Sequence, residues 1–280
     1  MKRSALNTRG SISLRQELSW RALTLAAAKK LLHEMTDGET PSILFGRDEV
    51  GRHGNFHPAA YEKICSEPLW IRRLQKVHTA SRKFKARANW RWRELDCANS
   101  SDALLMNIFC HPETLLDGHV ALLLGIDTDA KPEFGFKPRT PLHAGKRDNT
   151  EIDMKIGNLL VEAKLTESDF QWAKRRMVDR YRDLEDVFHR DELPMSDDRH
   201  GGYQLIRGTL AAHAMGSSFC VLCDARRPDL IENWYAVMKA VRFADLRCRL
   251  KIVTWQELAS VLPAELQIFL EDKYGIITLS

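Results

Sequence analysis

Thr150-Glu-Ile-Asp-Met-Lys-Ile-Gly-Asn-Leu-Leu-Val-Glu-Ala-Lys164 is the stretch on which the reading of this chain turns. Ile152, Met154 and Ile156 alternate with Glu151, Asp153 and Lys155, a period of two with one apolar and one polar face. Gly157-Asn158 then supplies a two-residue hairpin turn, since both residue types tolerate positive φ. Leu159-Leu160-Val161 resumes the apolar run as the return strand. A two-residue loop pairs Ile156 with Leu159, and counting outward sets Asp153 opposite Glu162. Lys164, two residues further on, points to the same face.

Like charges facing each other across a ladder destabilise it. A hard divalent cation reverses the sign of that interaction, and a carboxylate pair suits Mg²⁺, which keeps its other positions for water and phosphate. Lys164 would then sit beside the attacking water, able to orient it or to stabilise charge on a phosphate. This predicts a metal-dependent phosphodiesterase. The alternative is a solvated hairpin face on which Lys164 pairs with Glu162 or Glu151.

Asp153 and the triplet Glu162-Ala163-Lys164 resemble the PD-(D/E)XK nuclease superfamily, with Ile152 standing where the name-giving proline would be. Ser100-Ser101, Asn107, Lys164-Leu-Thr-Glu167, Asp169-Phe170, Gln204, Arg207 and Phe269-Leu-Glu-Asp-Lys-Tyr-Gly-Ile276 extend the resemblance to a bacterial restriction-endonuclease-like branch over roughly residues 95–280. The resemblance implies a three-layer α/β/α domain with a mixed central sheet at 99–280, preceded by a mainly helical basic region at 1–98. It implies Mg²⁺ (or Mn²⁺) held by Asp153 and Glu162 with the Ala163 carbonyl, and DNA as substrate. Gln204 and Arg207 would reach the site's water or a substrate phosphate from the helix after the catalytic strand. An auxiliary acid is left open among Glu94, Asp102 and Glu133. Two competing readings share the scaffold: a nucleic-acid binder without turnover, and a subunit active only in a complex. Two-strand cutting would call for a homodimer.

The chain has 280 residues, 44% hydrophobic and 29% charged, the balance of an ordinary globular protein. A net charge of +4 fits a nucleic-acid partner without requiring one. No segment approaches the length of a membrane span, and Ala22 to Ala28, followed by Lys29-Lys30, reads as helix and not as a signal peptide. Cys220 and Cys223 fall in an apolar run and are expected as buried thiols, which places the protein in a reducing cytoplasm.

Nine lysines or arginines and no acids lie between Arg72 and Arg93: Arg72, Arg73, Lys76, Arg82, Lys83, Lys85, Arg87, Arg91 and Arg93. A strip of single sign suits a phosphate backbone, with Arg82, Lys83, Lys85, Arg87 and Arg91 as its centre. Trp90 and Trp92 are expected to pack on the domain, with base stacking as the alternative. His53 and His57 have i,i+4 spacing, but Gly54 and Pro58 speak against a helix and nothing nearby completes a ligand set, so both are read as surface histidines.

The remaining pattern predicts helices over 11–35, 100–113, 168–190, 203–215 and 229–246. It predicts strands over 132–137, 218–223 and 250–254, a loop over 38–60, and two short helices after Trp255. Strands alternating with helices build a mixed sheet.

Overall fold

The computed structural model describes residues 2–36, 41–77 and 93–278, with backbone only for 2–9. It is a mixed α/β protein with a five-stranded mixed sheet and, among the described residues, twelve α-helices. The chain divides into two compact units, residues 1–123 with 255–280, and residues 124–254.

The second unit carries the sheet. Its strands are β1 (Pro132–Phe136), β2 (Ile152–Ile156), β3 (Leu159–Ala163), β4 (Ser218–Cys223) and β5 (Leu250–Thr254), ordered β5-β4-β3-β2-β1. β1, β2 and β3 run as an antiparallel meander, whereas β4 and β5 join in parallel. The expected register holds: Ile156 faces Leu159, Lys155 faces Leu160 and Met154 faces Val161. Gly157 takes φ 54° and Asn158 stays at negative φ, the pattern of a turn with glycine in its first central position. β2 alternates buried and half-buried residues, as its sequence period requires, while all five residues of β3 are buried because it is paired on both edges.

Helix α4 (Tyr203–Met215) and helix α5 (Pro228–Lys239) have the residue ranges that place them directly before and after β4. Leu205, Ile206 and Leu210 of α4 and Leu230, Trp234 and Val237 of α5 share one apolar cluster with Leu160, Phe219 and Val221 of the sheet. At Gly208 the helix lies so near the sheet that an added Cβ would be 2.2 Å from the Phe219 ring. Cys220 and Cys223 are buried in β4 and in no disulfide.

The first unit contains α1 (Lys2–Lys29), α2 (Pro58–Ser66), α3 (Ser101–Phe109) and a C-terminal helix (Ala264–Tyr274). Ser100 caps α3 by accepting the Ala103 N–H at 3.2 Å. No described helix is long and apolar enough to cross a membrane.

Four expectations need correction. The helix over 168–190 is absent: Trp172–Lys174 is a strand paired with Arg199–Gly201, and only two four-residue helices follow, Arg175–Val178 and Leu184–Val187. Charge spacing suited a surface helix, but pairing with a distant strand overrides it. The 38–60 loop contains the strand Ile43–Phe45, fully buried and paired with His33–Met35, so the first helix ends at Lys29 instead of 35. Pro58 starts α2, where its missing N–H costs nothing. The 229–246 helix is two helices, α5 and a short Ala244–Cys248 segment.

Candidate active site

The ladder between β2 and β3 ends at Met154 and Val161, one step short of the two acids. There the Asp153 carboxylate takes the Ala163 N–H at 2.8 Å, while the chain beyond β3 stays attached to β4 through the Lys164 N–H and the Leu222 carbonyl, also 2.8 Å. The Asp153 side chain is half-buried, whereas Glu162 and Lys164 are buried at 1% and 4% exposure.

Glu162 is an asymmetric carboxylate. Its Oε1 accepts from Lys164 Nζ at 2.7 Å and from Gln204 Nε2 at 2.5 Å. Its Oε2 is buried and finds no hydrogen-bond partner among the described residues. A buried acceptor left bare costs about 1–3 kcal/mol, more when charged. That atom, the Asp153 carboxylate of the neighbouring strand and the Ala163 carbonyl make up a donor set that a hard cation fits. Lys164 Nζ also lies 3.4 Å from the Ala163 carbonyl.

Burial disfavours the Lys164 ammonium, but the carboxylates of Glu162, Asp153 and Glu167 outweigh it and hold its pKa above that of an ordinary lysine. Lys164 is therefore a cation at neutral pH. It can orient a water or meet developing negative charge.

Gln204 reaches Glu162 because Gly202, at φ 69°, turns the chain into α4 and because the Gln204 N–H is tied to the Phe170 carbonyl at 3.0 Å. Arg207, one turn further along α4, is buried, with one terminal nitrogen on the Glu151 carbonyl at 3.0 Å and its guanidinium 5.9 Å from the Tyr203 ring. It braces the entry to β2 in this state. Glu133 is exposed and pairs with Lys155 at 3.1 Å. Glu94 and Asp102 belong to the first unit. There Asp102 is buried against Arg73 and Lys76 at 3.0 and 2.7 Å, and these cations overcome the effect of burial to keep its pKa low. Two cations of the basic strip are thus committed to an internal acid. Arg82, Lys83, Lys85, Arg87, Arg91, Trp90 and Trp92 lie outside the described residues.

The sequence reading missed two supports of the site. Arg227, wholly buried, forks onto Asp229 (2.9 and 2.8 Å) and donates to the Glu167 and Ser168 carbonyls at 2.8 and 3.1 Å, fixing the loop that follows Lys164. Asp148 accepts from Thr150 and, at 2.5 Å, from Tyr181; burial raises its pKa, yet these bonds and the nearby Arg207 charge bring it below the ordinary value. An arginine with an acid two residues away, next to Pro228 at a helix start, was the one local signal for the first of these.

The mixed sheet and its helices are compatible with the restriction-endonuclease-like class, and the family profile that the chain matches points to a nuclease-type function and a nucleic-acid substrate. The chain belongs to the family described as Restriction Endonuclease associating with ARP, whose profile matches residues 22–275. No curated protein matches the chain, and no solved structure does.

Proposed function

We propose that this chain is a divalent-metal-dependent endonuclease that hydrolyses DNA phosphodiester bonds on a restriction-endonuclease-like, three-layer α/β/α core. The observation that carries the proposal is the buried Glu162 carboxylate, doubly bonded at one oxygen and bare at the other. Asp153, Glu162 and the Ala163 carbonyl would hold Mg²⁺, with Mn²⁺ able to substitute. A bound divalent cation supplies charge neutralisation at the scissile phosphate and lowers the cost of generating a nucleophile. Gln204 and Lys164 lock Glu162 so that its bare oxygen keeps one orientation. The Lys164 ammonium orients the water that attacks phosphorus and stabilises the charge that builds on the phosphoryl oxygens.

Incubation of the purified protein with supercoiled plasmid in Mg²⁺, Mn²⁺ or EDTA tests this reading. Nicked or linear product is expected with either metal and none with EDTA; product formed equally in EDTA would refute it.

The family description favours a second reading, in which the nuclease acts only within a complex, since it speaks of association with ARP. Cleavage that appears on co-expression with neighbouring gene products, and is absent alone, would select that reading. DNA binding with no turnover in either case would select a silent binder.

A further inference from the structure

The two histidines expected at the surface do not lie there. The His53 side chain is nearly buried beside Asp96, at 3.2 Å, and His57 is half-buried at the N-cap of α2. Pro58 starts a helix instead of preventing one, and the chain there turns His57 toward two residues far away in sequence. These are His111, just beyond the end of α3, and Glu265, in the first turn of the C-terminal helix; all three belong to the first unit.

We infer that His57, His111 and Glu265 form a binding site for a transition-metal cation of the zinc class, separate in its chemistry from the carboxylate pair on the hairpin. One ligand atom from each residue lies within 4.8 Å of the other two. The imidazole centroids are 4.9 Å apart at 61°, so the rings converge and do not stack. His111 Nε2 is 2.9 Å from Glu265 Oε1, a spacing that a bound ion would need to widen only slightly.

His57 Nδ1 distinguishes this cluster from a satisfied histidine–carboxylate pair: it is buried and has no hydrogen-bond partner among the described residues. Burial, with His111 next, keeps the His57 pKa below the ordinary value against the pull of Glu265, and Lys29 adds a smaller effect in the same direction. The bare Nδ1 is the ring atom on which a cation can find a lone pair. The Glu113 N–H donates to His111 Nδ1 in a long bond of 3.4 Å, which leaves the ring proton on Nε2 against Glu265, and a bound ion would displace that proton.

The mounting is firm. The His57 N–H donates to Asn107 Oδ1 at 2.7 Å, and Asn107 is itself buried, donating to the carbonyls of Asn55 and Ala103. The His57 ring also meets Phe269 edge-on at 5.4 Å. Two imidazole nitrogens and one carboxylate oxygen select zinc or cobalt over magnesium, which prefers an all-oxygen shell. Three protein ligands leave one tetrahedral position for water. The ion would cross-link α2, the segment after α3 and the C-terminal helix, which supply its ligands from across the chain.

The test uses the full-length protein, stripped with a chelator and titrated with Zn²⁺ and, separately, with Co²⁺. One equivalent of Zn²⁺ is expected to bind and raise the melting temperature, and Co²⁺ should develop the visible absorption of a four-coordinate N/O site. Glu265→Gln is safe for folding because that side chain is 57% exposed, and it should weaken binding by at least about tenfold. His57→Ala should abolish binding. Asp153→Asn should leave the zinc stoichiometry at one, which separates this site from the hairpin acids. Binding of unchanged affinity in Glu265→Gln, or no saturable zinc binding by the parent protein, would overturn the inference.

Discussion

Lys164 and Asp153 sit within one short segment of sheet, yet removing each should have a different consequence. Lys164→Ala would take from the buried Glu162 the one cation bonded to it among the described residues, and breaking a buried pair on one side typically costs about 3–5 kcal/mol. Asp153→Asn keeps an oxygen that can still accept the Ala163 N–H, so its stability should stay within about 1 kcal/mol of the parent. Both should lose plasmid cleavage by at least about 100-fold. Denaturation midpoints alongside cleavage rates check this; equal loss of stability in both would show that Lys164 is not the partner described. A second test concerns Lys273. It is buried, donates to the Gly54 carbonyl and Asn55 Oδ1, and burial pulls its pKa well below 10.5. A lysine whose folded pKa is depressed costs stability where the unfolded chain would protonate it, and that cost fades as pH rises from the folded pKa to 10.5. The parent should therefore gain stability between neutral and alkaline pH relative to Lys273→Met, as read by urea denaturation across pH. The residues that converge on the hairpin were legible because a two-residue turn fixes which side chains share a face. Arg227 was not: its carbonyl partners, Glu167 and Ser168, lie about 60 residues earlier.

At the scale of elements, local pattern succeeded where it agreed with tertiary packing. Helix 203–215 and strands 218–223 and 250–254 match their expected limits, because their apolar residues recur at the period of the element that buries them. It failed at 168–190. There the charges, and the apolar residues Phe170, Val178, Tyr181, Leu184 and Val187 at helix-compatible spacings, both suited a one-sided helix, but the pairing of Trp172–Lys174 with Arg199–Gly201 overrides that local pattern and the same apolar residues reach the core cluster from broken segments. It failed again at Ile43–Phe45, a buried strand too short to show a period. The seat of α4 on β4 allows a direct test. Phe219 is fully buried and meets Trp234 edge-on at 5.4 Å, so it cannot retreat from a methyl group placed at Gly208. Gly208→Ala should therefore destabilise by about 2 kcal/mol, the overpacking cost exceeding the roughly 1 kcal/mol gain in helix propensity. A higher denaturation midpoint in this variant would contradict the packing.

For the molecule as a whole, charge and metal decide the account. The basic strip would contribute phosphate pairing in the proposed DNA complex, but Arg73 and Lys76 already serve Asp102. Neutralising Arg82, Lys83 and Lys85 together should thus flatten the slope of log affinity against log salt by about 0.9 for each phosphate that no longer meets a cation. Neutralising Arg73 should act on stability instead, and fluorescence anisotropy at several salt concentrations separates the two. Mixed α/β architecture and nuclease-type family were readable from one hairpin and its neighbours. The histidine–glutamate cluster was not, because its ligands are brought together only by the fold. The most direct measurement is calorimetric titration of Mg²⁺ into the parent protein and into Asp153→Asn. Saturable binding to the parent and its loss in the variant are expected, since the bare oxygen of Glu162 cannot hold the ion alone. Equal Mg²⁺ binding by the two proteins, or none by the parent, would contradict it.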